Sequence, residues 1–163
     1  NFRIKFIDQT KYFAKSFMKT PVKGDSSFYL HSCHYYTAIE IFKNRPIIGA
    51  GIKKFRHESH NRGGTKNENF ICGSTHPHQI HFELLSELGI IGYLSLMIYF
   101  IHLIYKSIKI FNIKKDYYAF AGTLFILATI LPILPSGSFF TTYSATFFWI
   151  NYSFTLKNFL NYK

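Results

Sequence analysis

Three histidines, His76, His78 and His81, fall in one short stretch that runs directly into a long uncharged segment. An imidazole with an unperturbed pKa of about 6.5 can take a proton from a hydroxyl, hold an anion or ligate a metal. The sequence predicts a helix that starts at Ser74 or Thr75 with Pro77 in its first turn. His78 would then sit where free N–H groups and the helix dipole favour a phosphate and disfavour the imidazolium, leaving a neutral base. His78 and His81 would share a helix face. Ile80, Leu84, Leu85 and Leu88 would form the apolar stripe, with Gln79, Glu83 and Ser86 turned elsewhere. A zinc helix needs a different histidine spacing, and no Cys pair stands nearby, so no metal and no other cofactor is expected. His102, inside an apolar run, reads as a buried, hydrogen-bonded side chain.

A second group surrounds the turn Asn44-Arg45-Pro46-Ile47-Ile48-Gly49-Ala50-Gly51. Gly49 and Gly51 are free to adopt positive φ and expose backbone N–H groups. Arg45, Lys53, Lys54 and Arg56 could hold a diphosphate, arginine by a bidentate fork and lysine as a point charge, although a solvated basic loop has the same composition. Tyr35, Tyr36 and Phe55 could stack on sugar faces, yet aromatic helix faces more often pack. Gly89 and Gly92 would let helices approach closely within a membrane.

The elements that must carry these residues divide the chain in two. Up to Leu88 there are thirteen basic and seven acidic residues; beyond it, six basic residues and one acid remain of the 19 and 8 in the whole chain. Three windows, 88–105, 117–134 and 139–156, lack any Asp, Glu, Lys or Arg. Each is roughly eighteen residues, near the length that crosses a hydrocarbon core, and a helix satisfies its own backbone there. Lys106, Lys109, Lys114 and Lys115 separate the first two windows, and Lys157 and Lys163 follow the third. The positive-inside bias puts these on the cytoplasmic side, and the uncharged 135–138 connection and everything before Leu88 outside. The expected architecture is therefore all-α: an external helical region, 1–87, followed by three transmembrane helices, 88–163.

Within 1–87, residues 1–24 suggest a basic amphipathic helix able to lie on a membrane surface. Ser32 is placed to cap a helix that ends before Pro46, and 56–73, rich in Asn and Gly, reads as a mobile loop. Cys33 and Cys72 both fall in the external region, where an oxidising compartment permits a bridge, though two isolated thiols fit equally well. The first residue is Asn1, and a polar external segment must be delivered by something upstream, so the chain is expected to be the C-terminal piece of a larger multi-span protein. Membrane lipid, rather than nucleic acid, is the expected partner of its positive charge.

Two of these motifs together resemble the O-antigen ligase and O-antigen polymerase superfamily. One is His78-Gln79 followed, after nine residues, by Gly89-x-x-Gly92; the other, less specific, is the Asn44 to Gly51 turn followed by Phe55. The likeness covers about 27–105. It implies a multi-pass protein of the bacterial inner membrane with a GT-C-like fold and a large periplasmic loop. Such enzymes pass a glycan from undecaprenyl diphosphate to a lipid A core sugar or to another repeat unit, without metal or nucleotide sugar. Carried over by position, His78 resembles the family's loop histidine, which activates the acceptor hydroxyl or assists at the diphosphate, with Gln79 beside it. Many members place an arginine where this chain has His31, so the resemblance leaves diphosphate contact to His31, Arg56 or a residue upstream; Arg45 is an insertion in the turn. Two rivals use the same residues differently. A non-catalytic glycan-lipid-binding protein needs the basic loop without His78, and a zinc-dependent hydrolase needs His76, His78 and His81 together.

Overall fold

The computed structural model describes residues 26–62, 72–131 and 136–160. These form five helices and no strand: α1 (Ser26–Asn44), α2 (Phe55–Arg62), α3 (Ile80–Lys114), α4 (Tyr117–Ile130) and α5 (Thr142–Leu160). The all-α expectation holds for them. The amphipathic helix expected in 1–24 lies outside the described residues.

α1 stops at Asn44, whose side-chain amide donates to Glu40 O, just before Pro46 as the sequence requires. Its start differs from expectation: Ser32 is buried inside the helix and caps nothing. α2 occupies part of the stretch expected to be a mobile loop. It is pinned by Phe55, fully buried against Ala38, Ile41 and Phe82.

α3 is broken at Gly89, which takes φ 67° and ψ −172° inside an otherwise helical run. A break of this kind frees carbonyls on one side and N–H groups on the other, and buried groups of either type need partners. The 46–51 turn supplies four of them. Ser86 O and Glu87 O accept from Ala50 N at 2.9 Å and Gly51 N at 2.8 Å, while Ile90 N and Ile91 N donate to Pro46 O at 2.8 Å and Ile47 O at 3.3 Å. The approach requires glycine on both sides. Gly49 has φ 71°, and a Cβ there would overlap the Glu87 carbonyl; a Cβ on Gly89 would overlap Ile47 O. The two sequence motifs are thus one structural unit, and the boundary expected between residues 87 and 88 falls inside α3, beside this kink.

The second arm of α3 packs with α4 and α5 around Phe100, Leu103, Ile126, Phe139 and Phe148. Asp116 caps α4 by accepting from Tyr118 N and Ala119 N. Close helix approach occurs at Gly122, where a Cβ would meet the Asn151 backbone of α5. The glycines expected to do this work elsewhere: Gly89 receives the turn, and Gly92 faces Leu88 of its own helix. Among the described residues, one helix, α3, is long and apolar enough to cross a membrane. Only 22% of its most apolar window is buried inside the protein, unlike the core helix of a soluble domain. α4, at 14 residues, is about 21 Å long and falls short of the hydrocarbon core. His102, expected to be buried, is exposed on α3.

Candidate functional site

The strongest concentration of chemistry is a group of four imidazoles where α1 meets the segment leading into α3. His31 and His34 lie one turn apart on α1; His76 and His78 lie in the bent, non-helical approach to α3. Ring centroids are 5.3 Å apart for His31 and His78, 5.2 Å for His34 and His78, and 4.1 Å for His76 and His78. His78 is at the centre of the group, partly exposed, whereas His34 is buried. The Nδ1 atoms of His31 and His34 are buried and find no hydrogen-bond partner among the described residues.

The backbone around His78 is not that of a helical first turn, which corrects the expectation. α3 begins at Ile80 with Gln79 as its N-cap, and His78, just outside, is held at φ 59°. Gln79 is buried and its side-chain oxygen accepts from His81 N at 2.7 Å and Phe82 N at 3.1 Å. That oxygen serves the helix end, so the expected substrate-binding role of Gln79 is replaced by a positioning one. The His78 carbonyl accepts from Ser136 N at 2.9 Å. His78 and His81 do not share a face. The two ring nitrogens of His81 meet Ile130 O at 2.8 Å and the Tyr93 hydroxyl at 3.0 Å. A carbonyl only accepts, so His81 Nε2 carries the proton and Nδ1 accepts from Tyr93. This removes the zinc triad His76, His78 and His81, since both nitrogens of His81 are engaged elsewhere.

Three devices hold the two histidine-bearing segments in place. Cys33, between His31 and His34, is disulfide-bonded to Cys72, so the bridge left open by the sequence is formed. Thr37 Oγ1 donates to Cys33 O and accepts from Cys72 N, fastening the same junction. Tyr35 stacks on Phe82 at 4.8 Å, anchoring α1 to the start of α3.

Two buried carboxylates one turn apart on α3 then fix the loops around it. Glu87 accepts from Lys53 N at 2.7 Å and Phe55 N at 3.1 Å, at the entrance of α2. Glu83 accepts from the Ser138 hydroxyl and from Phe139 N at 2.8 Å, at the approach to α5. The sequence carried a signal for both. An acid next to a long apolar run has to be paired or hydrogen-bonded. His34 was also legible, as the helical neighbour of His31.

Arg45, Lys53, Lys54 and Arg56 are exposed on the 45–54 turn and the first turn of α2. Arg45 pairs with Glu58 at 3.7 Å. Around His78 stand three further imidazoles, of which His31 and His76 are among the residues the sequence points to and His34 is not. Phe55 is fully buried and packs instead of stacking on a ligand.

Burial and mutual repulsion set the electrostatics. Burial, then the neighbouring His78, His31 and His76, pushes His34 down from 6.5 to about 4. Burial, then His78, pushes His76 down to about 4. His78 is lowered by burial and by His31. At neutral pH His34, His76 and His78 are therefore neutral, and a proton added to any of them is opposed by its neighbours unless an anion accompanies it.

Compared with protein-family models, curated proteins and solved structures, the chain finds no match at any of the three levels.

Proposed function

We propose that the chain is part of a multi-pass membrane glycosyltransferase of the O-antigen ligase or polymerase kind, which passes a glycan from undecaprenyl diphosphate to a hydroxyl of a lipid A core sugar or of another repeat unit. The observation that carries this reading is the position of His78: a partly exposed imidazole at the polar end of α3, the one long apolar helix among the described residues, where Ser136 N donates to its carbonyl and the Gln79 cap follows it. On this reading the membrane is the bacterial inner membrane, residues before the kink lie on the periplasmic side, and the apolar windows 117–134 and 139–156, of which α4 and α5 are the described parts, cross beside α3 within a larger GT-C-like assembly.

The chemistry is an inverting displacement. The neutral His78 ring accepts the proton of the acceptor hydroxyl as its oxygen attacks the anomeric carbon; the bond from that carbon to the diphosphate oxygen breaks, and the diphosphate leaves with the electron pair. A ring kept neutral by burial and by His31 is available as a base at pH 7. His31, His34 and His76 face the same space and can donate N–H groups to the departing charge, where the sequence had looked to Arg56, Arg45 and Lys53. Ligase and polymerase differ in the acceptor, and nothing in this geometry selects between them. The glycan-lipid-binding reading draws on the exposed cations of the turn and dispenses with His78.

One replacement separates transfer from binding. With His78→Ala in the intact protein, lipid-linked glycan accumulates and long-chain lipopolysaccharide disappears from gels, while the protein remains in the membrane at normal level. Transfer at the unmodified rate removes His78 from the mechanism and leaves binding as the surviving reading.

A further inference from the structure

The turn that plugs the kink of α3 presents an unusual surface. Ile47, Ile48 and Ile52 are exposed by 60%, 75% and 57%, the opposite of what a water-facing turn selects. They are not there through looseness. The turn is locked by the four backbone bonds across the kink, by Glu87 on Lys53 N, and by left-handed conformations at Gly49, Gly51 and Lys53. The isoleucines are therefore held outward by a rigid support.

Their surroundings identify what covers them. Ile47 O lies 3.3 Å from Ile91 N, which places the turn against the first residues of the apolar arm of α3. There Ile90, Ile91 and Leu94 are exposed, followed further along by Ile98 and Ile101. The exposed apolar surface thus passes from turn to helix. Lys53, Lys54 and Arg56, all exposed, stand beside Ile52, with Arg45 at the other end of the turn beside Glu58. Isoleucines fringed by cations match the boundary between acyl chains and phosphate headgroups, and a patch of this kind on a water-facing surface marks an interaction site.

We infer that the 45–54 turn is an interfacial seat: Ile47, Ile48 and Ile52 enter the acyl boundary of the leaflet, and Lys53, Lys54 and Arg56 engage lipid phosphates. The inference rests on α3 being a membrane span, but not on glycosyl transfer. The seat fixes the depth of the kink in the bilayer and, through the hydrogen bonds across it, the height of the imidazole group above the lipid.

Nitroxide labels test this in the intact protein reconstituted in vesicles of mixed phosphatidylglycerol and phosphatidylethanolamine. Cys33 and Cys72 are bonded to one another, so within residues 1–163 a label reports only the introduced thiol, and the unsubstituted protein is labelled alongside as the blank. Labels at Ile48→Cys and Ile52→Cys are compared with Ile98→Cys on α3 and Asn61→Cys at the end of α2. The expected result is collision with oxygen in preference to a water-soluble nickel chelate at Ile48 and Ile52, at a depth of about 5–10 Å. Asn61 reports water and Ile98 the greatest depth. A label at Ile48 that meets nickel as freely as Asn61 overturns the seat while an oxygen-exposed Ile98 keeps the span. A label shielded from both reagents overturns it in favour of protein cover. A nickel-exposed Ile98 removes the span and the seat together.

Discussion

The two arms of α3 are built to different rules although one helix contains both. In the nine residues before the kink, Ile80, Phe82, Glu83, Leu84, Ser86 and Glu87 are buried, and each carboxylate meets named partners. Beyond it, burial recurs only at Phe100, Leu103, Ser107 and Ile110, while Ile98, Ile101, Tyr105 and Ile108 face outward. The first arm is specified by directional bonds that fail when a single partner is lost. The second is specified by an apolar stripe that many sequences would satisfy. Chemistry belongs with the first, because only directional contacts can hold imidazoles to within a few ångströms of one another.

The contrast breaks most sharply at the kink. Gly89→Ala forces alanine into a positive-φ, extended-ψ conformation that is essentially glycine-only, at about 1–3 kcal/mol, and overlaps Ile47 O, adding about 1–3 kcal/mol of overpacking. The expected outcome is release of the 46–51 turn, seen as loss of amide protection at Ala50 and Gly51 in hydrogen exchange, with transfer lost and α3 still inserted. Protection at wild-type level would show that the turn does not depend on the kink.

A smaller effect is expected from removing the disulfide. Cys33→Ser with Cys72→Ser opens a bridge spanning 39 residues, at about 2–4 kcal/mol. The lower arm of α3 with α4 and α5 shares no part of this junction and is expected to keep its helicity by circular dichroism. The segment 72–77 is released from α1, while Tyr35 on Phe82 still holds α1 to α3. An unchanged thermal midpoint would mean that Thr37 alone secures the junction.

How much of this was legible follows the same division. The apolar windows, the end of α1 before Pro46 and the glycine freedom at Gly49 and Gly51 are local properties, written in composition and spacing. α3 starts later than expected because Ser74, Thr75 and Pro77 carry the usual signs of a helix N-terminus, whereas the chain bends at Thr75 and His76, turns left-handed at His78 and caps with Gln79, a residue rarely chosen for that role. The joining of His31 and His34 to His76 and His78 was out of reach for a different reason. It depends on a disulfide and on carboxylate bonds that close between residues more than thirty positions apart, and no local pattern encodes such pairings.

The central claim is that four imidazoles share one partly buried site, and ring-by-ring titration of the histidines by carbon-detected NMR in the intact protein tests it most directly. The unfolded chain protonates these rings near 6.5, while folding holds His34 and His76 near 4. The unfolded state therefore binds more protons between those values, and stability falls as pH drops from 6.5 towards 4, with no contribution from these rings above that range. The account predicts half-protonation of His34 and His76 at about pH 4, moving upward when His78 is replaced by alanine. Midpoints for His34 and His76 near 6.5, indifferent to His78, would contradict it.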